Sequence, residues 1–217
     1  DKIKEIEANN NLTDEEKAAA KQEAQDKATA AKQAIDNATT NDAVEQAKNG
    51  GATSISSVTP TPTAKPAAKQ AIDDALKAKN DAIDSNNDLT AEEKAKAKED
   101  AKAKADAAKT AIDNATTNDA VDQAKANGTT EVTNVTPTPV AKPAAKIAVE
   151  AALADKIKEI EANNNLTDEE KASAKQEAQD KATAAKQAID NATTNDAVTQ
   201  AKNAGATSVD SVTPTPT

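Results

Sequence analysis

Residues 134–146 read NVTPTPVAKPAAK, and this stretch decides how the whole chain is organised. Proline lacks a backbone N–H and ends helices, so Pro137 and Pro139 mark an extended connector. The alanine-rich pattern that follows includes Pro143, and proline is favoured in the first turn of a helix. The stretch therefore joins the end of one helix to the start of another. Whether the connector is a flexible tether or a spacer of fixed length depends on whether it recurs.

The connector recurs at a period of 77 residues, together with every other motif of the chain and without insertion or deletion. Loop entropy grows only slowly with loop length, so a random tether would tolerate length changes easily. A connector copied at constant length is instead typical of a spacer. The period predicts three repeats, namely residues 1–64 (with a first helix truncated at its N-terminus), 65–141 and 142–217. The motif LTxEEK begins at Leu12, Leu89 and Leu166, and the proline pairs begin at Pro60, Pro137 and Pro214.

The middle repeat predicts three helices. The first opens at Pro66 and stops at the Asn86-Asn87 pair. The second follows TAEE, residues 90–93, where Thr and Glu form a capping box, and it runs to about Ala115. The third follows TTND, residues 116–119, and ends before Pro137. The positions expected to be buried are Ile72, Leu76 and Ile83 in the first helix, Leu89, Ala97, Ala101, Ala105, Ala108 and Ile112 along the second, and Val121, Ala124, Gly128, Val132 and Val135 along the third.

Three helices with short connections predict an up-down-up bundle. An odd number of helices places the two chain ends at opposite poles of a bundle. The sequence therefore predicts an all-α fold of tandem three-helix bundles, joined by short Pro-rich connectors into an elongated, monomeric rod.

Gly51, Gly128 and Gly205 occupy equivalent positions near the end of the third helix. A glycine that ends the helix would leave an extended tail, whereas an interior glycine costs about 1 kcal/mol but lets two helices approach closely. The even spacing of apolar residues across Gly128 favours the interior position, while the following TTEVTNV is poor helix material. Both interpretations remain open at this stage.

Composition excludes several classes of function. The net charge of −10 argues against nucleic acid, which needs a basic face. The chain contains no His or Cys, so we expect no catalytic residue, no cofactor and no metal site. No stretch approaches the roughly 20 apolar residues needed to cross a bilayer, so no membrane insertion is expected. The chain is also expected to be an internal piece of a longer protein.

Two acidic motifs are candidate catalytic or metal-binding sites. Glu92-Glu93 lies in the first turn of a predicted helix, where capping and the helix dipole explain a pair of carboxylates. DSNND, residues 84–88, is similar to a calcium loop but lacks its turn glycine and its bidentate Glu. An interhelix turn explains it better.

The ordered set LTxEEK, AIDNATTNDAV, AKxxG and KPAAK resembles the DUF1542 repeat. That family occurs in multiple copies in cell-wall-anchored surface proteins of Gram-positive bacteria. The resemblance implies an extracellular, wall-attached helical repeat region of an adhesin-like protein, whose other domains bind host or neighbouring-cell proteins. It implies no catalytic or ligand-binding residue.

These observations favour a structural spacer that projects a distal domain, with neighbouring repeats of the same chain as its partners. The alternative is a three-helix module that binds albumin or immunoglobulin. Binding hot spots are enriched in Trp, Tyr and Arg, and the chain contains none of the three. A disordered hydrophilin-like chain would share the composition, but the phased apolar positions argue against it.

Overall fold

The computed structural model describes residues 1–217, which form nine α-helices and no strand. The helices come in threes, one set for each 77-residue repeat, and this confirms the all-α fold class. The helix α4 begins two residues before the predicted Pro66, and α5 lies within two residues of its predicted bounds. Helix α6 ends at Thr133 and not just before Pro137, so Val135 lies beyond the helix. The helices are α1 (Lys2–Glu7), α2 (Asp14–Asn37), α3 (Asn41–Ser56), α4 (Ala64–Asp84), α5 (Ala91–Asn114), α6 (Asn118–Thr133), α7 (Ala141–Ala162), α8 (Asp168–Asn191) and α9 (Asn195–Asp210).

Local sequence sets the start of the second and third helix of each repeat. In α8, the Thr167 side chain accepts the N–H of Glu170, while the Glu170 carboxylate accepts the N–H of Thr167. This reciprocal capping box satisfies two backbone donors that have no partner inside the helix. In α9, the Thr194 side chain accepts the N–H of Ala197 at 3.1 Å. The sequence copies in the other repeats form the same caps.

The helices of the third repeat run antiparallel. Near the start of α7, Lys146 forms an ion pair with Asp190 at the end of α8. Near the end of α7, Glu161 accepts a hydrogen bond from Lys175, close to the start of α8. Because the start of each helix meets the end of the other, α7 and α8 point in opposite directions. The core between α7, α8 and α9 consists of Ala145, Val149, Ile160, Leu166, Ala174, Ala178, Ala182, Ala185, Ile189, Val198, Val209 and Val212.

The three glycines lie inside α3, α6 and α9, and none has a positive φ. The interior position is therefore correct, and each glycine permits close packing. A Cβ atom at Gly128 would collide with Ala108 and would lie 2.8 Å from Ile72 Cδ1. Every position predicted to face the core along α5 is buried, from Leu89 to Ile112.

By compactness the chain divides into two units, which differ from the sequence repeats. The first comprises Asp1–Ala78 and Ala101–Asn134, and the second comprises Lys79–Asp100 and Val135–Thr217. The hydrogen bonds between repeats 1 and 2 that are described below lie in the first unit, and those between repeats 2 and 3 lie in the second. We call these contact regions junction 1–2, in the first unit, and junction 2–3, in the second.

Candidate functional site: the inter-repeat junctions

The acidic motifs of the sequence form no metal site. No group of three or more acidic side chains is arranged to hold a metal ion. In the turn at residues 84–88, the Asn86 side chain accepts the N–H of Asp88 at 3.0 Å, so the turn is closed by an Asn side chain. Glu93 caps α5 from its first turn, as predicted, and Glu92 lies in the same turn. The contacts of both residues extend into the next repeat.

Glu93 joins the start of α5 to the start of α7 at junction 2–3. Its carboxylate accepts the N–H of Thr90 at 3.0 Å, and also the N–H groups of Val140 and Ala141 at 3.0 and 2.9 Å. The residue before α7, Val140, has no side-chain hydrogen bond of its own to cap the helix. Burial raises the pKa of Glu93, but these hydrogen bonds outweigh it and hold the pKa below its usual value. One carboxylate therefore caps two helices that belong to different repeats.

Glu92 provides a third cap. Its carboxylate accepts the N–H of Asn195 at 3.0 Å, at the start of α9. Beside it, the Ala91 N–H donates to the Thr193 carbonyl at 2.7 Å. The first turn of α5 is thus bound directly to the turn between α8 and α9. Helix N-termini favour carboxylates because their exposed N–H groups carry a partial positive charge.

Lys142 is the buried cation of junction 2–3, with 5% of its surface exposed. Its ammonium donates to the Asn87 carbonyl at 2.7 Å and to the Asp190 carbonyl at 2.6 Å. Asn87 lies in the turn between α4 and α5, whereas Asp190 lies in the last turn of α8. A buried ammonium is costly unless it is hydrogen-bonded, so these two carbonyls hold Lys142 in place. The lysine therefore links repeat 2 to repeat 3.

Junction 1–2 repeats this arrangement, with one additional hydrogen bond from the Thr63 hydroxyl to Glu16. Lys65, 4% exposed, donates to the carbonyls of Asn10 and Asp113 at 2.8 and 2.7 Å. The corresponding contacts of the acidic turn are Asp14 N–H to the Thr116 carbonyl, Asn118 N–H to Glu15, and the N–H groups of Thr13, Thr63 and Ala64 to Glu16. Two independent copies of one geometry indicate a built interface.

A groove of about 360 Å³ opens at junction 2–3, and one of about 230 Å³ opens at junction 1–2. The charged residues that line the larger groove are Lys94, Lys142 and Asp190, and the Asp190 carboxylate is paired with Lys146. The Lys94 ammonium donates to the Asp84 carbonyl at 2.8 Å, and that of Lys142 is bound as described above. Both lysine ammonium groups are thus already hydrogen-bonded to backbone carbonyls. The grooves are therefore part of the packing between repeats.

Sequence reasoning missed the junction lysines. The KPAAK motif indicates only a helix start, although the lysine recurs directly before Pro66 and Pro143. Their partners are backbone carbonyls 48 and 55 residues away. Every residue has a backbone carbonyl, so the sequence does not show which of them accepts a hydrogen bond from a lysine.

Comparisons with known proteins agree with the repeat structure. The family model described as Domain of Unknown Function (DUF1542) matches residues 1–63, 64–140 and 141–217. The chain is 33% identical over 203 residues to the extracellular matrix-binding protein ebh of Staphylococcus aureus strain USA300, and equally to the extracellular matrix-binding protein EbhA of strain Mu50. The match covers 93% of this chain but only 2% and 3% of those two relatives.

No solved structure matches the chain. None of its helices has the length and the apolar character needed to cross a membrane.

Proposed function

The chain belongs to the DUF1542 family, and on that premise we propose that it is a non-catalytic spacer in an extracellular protein of a bacterial cell surface. It would project a distal binding domain from the cell wall. Its relatives in Staphylococcus aureus are named for binding extracellular matrix, and the chain spans about 2–3% of their length. A spacer region is therefore compatible with binding by other parts of such a protein.

The observation that carries this proposal is the pair of inter-repeat junctions. A flexible tether would leave neighbouring bundles without fixed contacts, whereas each junction here fixes three helix starts and one buried lysine. The carboxylate that caps α5 also caps α7, so the length of the connector is set by that bridge. Each added repeat then contributes a constant length and a constant angle, which is what a spacer requires.

The first test asks whether junction 2–3 is rigid in solution. The chain has no cysteine, so cysteines introduced at Lys96 in α5 and Thr199 in α9 can carry two spin labels. Pulsed electron paramagnetic resonance should give one narrow distance distribution. Lys142→Met, which keeps the aliphatic stem but removes the ammonium, should broaden it. Lys158→Met, at an exposed lysine of α7 outside the junction, is the matched control and should leave the distribution unchanged.

A broad distribution in the parent chain would identify the connector as a tether and would contradict the spacer. Small-angle scattering tests the predicted rod at a coarser level. Three repeats should extend about 130–150 Å, from the helical rise and the length of extended connectors. A compact chain of this size has a radius of gyration near 17 Å, so a value below about 25 Å would also count against the spacer.

A second candidate function rests on two exposed apolar residues, Val140 immediately before α7 and Ile147 within it. They are 64% and 70% exposed, and the residues 77 positions earlier are Thr63 and Gln70. Large exposed apolar residues are the kind of feature that mediates protein binding. Repeat 3 is therefore the repeat best suited to bind a host protein such as an extracellular matrix component.

This candidate is tested by screening the parent chain against immobilised serum and matrix proteins. A double variant Val140→Thr, Ile147→Gln gives repeat 3 the surface of repeat 2 and is the matched control. Specific binding that the double variant loses would support a binding module. If the parent chain binds nothing in the panel, the spacer alone remains.

A further inference from the structure

Repeat 3 carries the same acidic turn with which repeats 1 and 2 hold the repeat that follows them. The first residues of α8 are Asp168, Glu169 and Glu170, the counterparts of residues 14–16 and 91–93, and Asn164 is the counterpart of Asn10 and Asn87. At both junctions the first residue of this turn donates its N–H to a threonine carbonyl 102 residues further on, and the second accepts an asparagine N–H. The Asp168 N–H and the Glu169 carboxylate have no such partner within the chain.

The third residue of the turn already makes its part of a junction. Glu170 accepts the backbone N–H of Thr217 at 2.9 Å and its hydroxyl at 2.6 Å. Glu16 holds Thr63 in the same way, at 2.9 and 2.7 Å, immediately before α4 begins. The segment after α9 is therefore held where the connector into α4 is held. This contact is independent of the open groups at Asp168 and Glu169, and it places residue 217 at the entry to a junction.

We infer that Asn164 and Asp168–Glu170 form a docking face for a further helical repeat joined covalently after Thr217. The two junctions define what the partner must supply. It must begin with Ala-Lys-Pro, so that a lysine reaches the Asn164 carbonyl. It must also have a turn like NATTND, whose threonine carbonyl accepts the Asp168 N–H and whose asparagine N–H reaches Glu169. This inference rests on the proposed function, because it extends the same rigid junction by one repeat.

The covalent connector decides between a following repeat and a second copy of the chain. The junction contacts described above are hydrogen bonds, and each of them except the one from the Thr63 hydroxyl involves a backbone group. Such an interface gains most when both partners are already joined, because a short linker supplies an effective concentration on the order of millimolar. Separate chains at micromolar concentration lack that advantage. The expected occupant is therefore a repeat in the same chain.

The test compares the 217-residue chain with a chain extended after Thr217 by an exact copy of residues 64–140, which begins with Ala-Lys-Pro. Hydrogen exchange measured by mass spectrometry follows the Asp168 amide. A peptide covering residues 166–175 contains Ser173 where residues 12–21 contain Ala19, so the two repeats are distinguishable by mass. The amides of Asp14 and Ala91, which are hydrogen-bonded in the junctions, serve as internal references for a docked repeat.

The Asp168 amide should exchange fast in the 217-residue chain and about tenfold more slowly in the extended chain, as expected for one added hydrogen bond. Glu169→Ala should reduce that protection in the extended chain and should have no effect on Asp168 in the 217-residue chain. Fast exchange at Asp168 in the extended chain, with Asp14 and Ala91 still protected, would overturn the inference and leave the proposed spacer intact.

Fast exchange at all three amides would overturn the proposed function as well. Protection of Asp168 that rises with concentration in the 217-residue chain would overturn covalent docking, because it would show that a second copy occupies the face.

Discussion

Repeats 1 and 3 have nearly the same sequence and bury different residues. Residues 1–63 and 155–217 differ at five positions, Ala19/Ser173, Glu45/Thr199, Gly50/Ala204, Ile55/Val209 and Ser56/Asp210. Yet Val198 is 3% exposed, whereas its counterpart Val44 is 38% exposed. The second helix of repeat 3 buries Ala174, Ala178, Ala182, Ala185 and Ile189, whereas that of repeat 1 buries only Ala20 and Ala24.

The first helix accounts for the difference. Helix α7 has 22 residues, whereas α1 has six. The half of α7 that has no counterpart in repeat 1 includes Ala145, Val149 and Leu153, which pack against α8 and α9. Without these side chains, the matching ends of α2 and α3 pack only on each other. The alanine-rich faces of the second helices are therefore buried only where a first helix with larger side chains covers them.

The largest expected effect comes from completing the first helix of repeat 1. A copy of residues 141–154 placed before Asp1 continues in the native register, because Asp155 is the counterpart of Asp1. Burial of the added Val and Leu is worth about 1.5–3 kcal/mol each, before the entropy of ordering the segment is subtracted. Repeat 1 should therefore become several kcal/mol more stable.

Hydrogen exchange measures this change repeat by repeat. In the parent chain, residues 12–58 should exchange faster than residues 166–212, and the extension should remove the difference. Since repeats contact only their neighbours, the exchange of residues 166–212 should stay constant and acts as the control. Equal protection of the two segments in the parent chain would mean that first-helix packing contributes little.

A second, smaller effect is expected from the interior glycines. A Cβ at Gly205 would collide with Ala185 and would contact Val149 at 3.6 Å, whereas at Gly51 the only side chain in the way is Ala31. Overpacking a core costs about 1–3 kcal/mol. Gly205→Ala should therefore destabilise repeat 3 by about that amount. Gly51→Ala should cost less, because no first helix holds α3 against α2 at that level.

Thermal unfolding followed by circular dichroism, together with exchange in each repeat, checks both glycine variants. Equal losses from the two substitutions would show that α3 is held as firmly as α9, and the explanation based on the first helix would then fail. The collisions of an added Cβ at Gly51, Gly128 and Gly205 oppose the stabilisation of about 0.4–1 kcal/mol that alanine would give by restricting the unfolded chain.

The sequence was sufficient to predict the helices and most of their buried faces. The 77-residue period and the capping sequences act locally, so the bounds of α4 and α5 could be placed within about two residues. The proline pair marked the end of α6 less closely, because the helix stops at Thr133. The burial of Leu89 and Ile112 along α5 followed from helical spacing alone. Periodicity could not predict that Val44 stays exposed, because its burial depends on a different helix.

The junctions could not be predicted in the same way. The cap from Glu92 to Asn195 joins groups 103 residues apart, and the cap from Glu93 to Val140 joins groups 47 residues apart. Nothing beside Asn195 signals a distant carboxylate, since its own Thr194 already provides the usual local cap. Sequence reasoning therefore placed the acidic pair correctly on the helix and missed its partners in the next repeat.

A third effect is expected at Gly50, the one position where repeat 1 has glycine and repeat 3 has alanine, Ala204. A Cβ at Gly50 would meet no atom within 4 Å, so the site is open. Gly50→Ala should stabilise repeat 1 by about 0.4–1 kcal/mol, because alanine restricts the unfolded chain. Thermal unfolding should show the gain, and Ala204→Gly should remove a similar amount from repeat 3. A loss on Gly50→Ala would mean that α3 packs more closely than its neighbours indicate.

The smallest effect should be the same in both repeats, because it arises at the end of the bundle that α1 already covers in repeat 1. Burial raises the pKa of Glu16, but hydrogen bonds from Thr13, Thr63 and Ala64 outweigh it and lower the pKa to about 2. The hydrogen bonds from the Thr217 side chain and from the backbone of Thr167 and Thr217 lower the pKa of Glu170 to about 2 as well.

A carboxylate with a lowered pKa stabilises the fold above pH 4.5, its ordinary value, and this contribution is lost as the pH falls toward 2. The melting temperature should therefore decline across that interval, by less than the full shifts imply, because exposed carboxylates are screened by solvent. Glu16→Gln and Glu170→Gln should each flatten the decline by a similar amount. If Glu170→Gln alone flattened it, the junction contacts of repeat 1 would also depend on a complete first helix, and the difference between the two repeats would extend along the whole bundle.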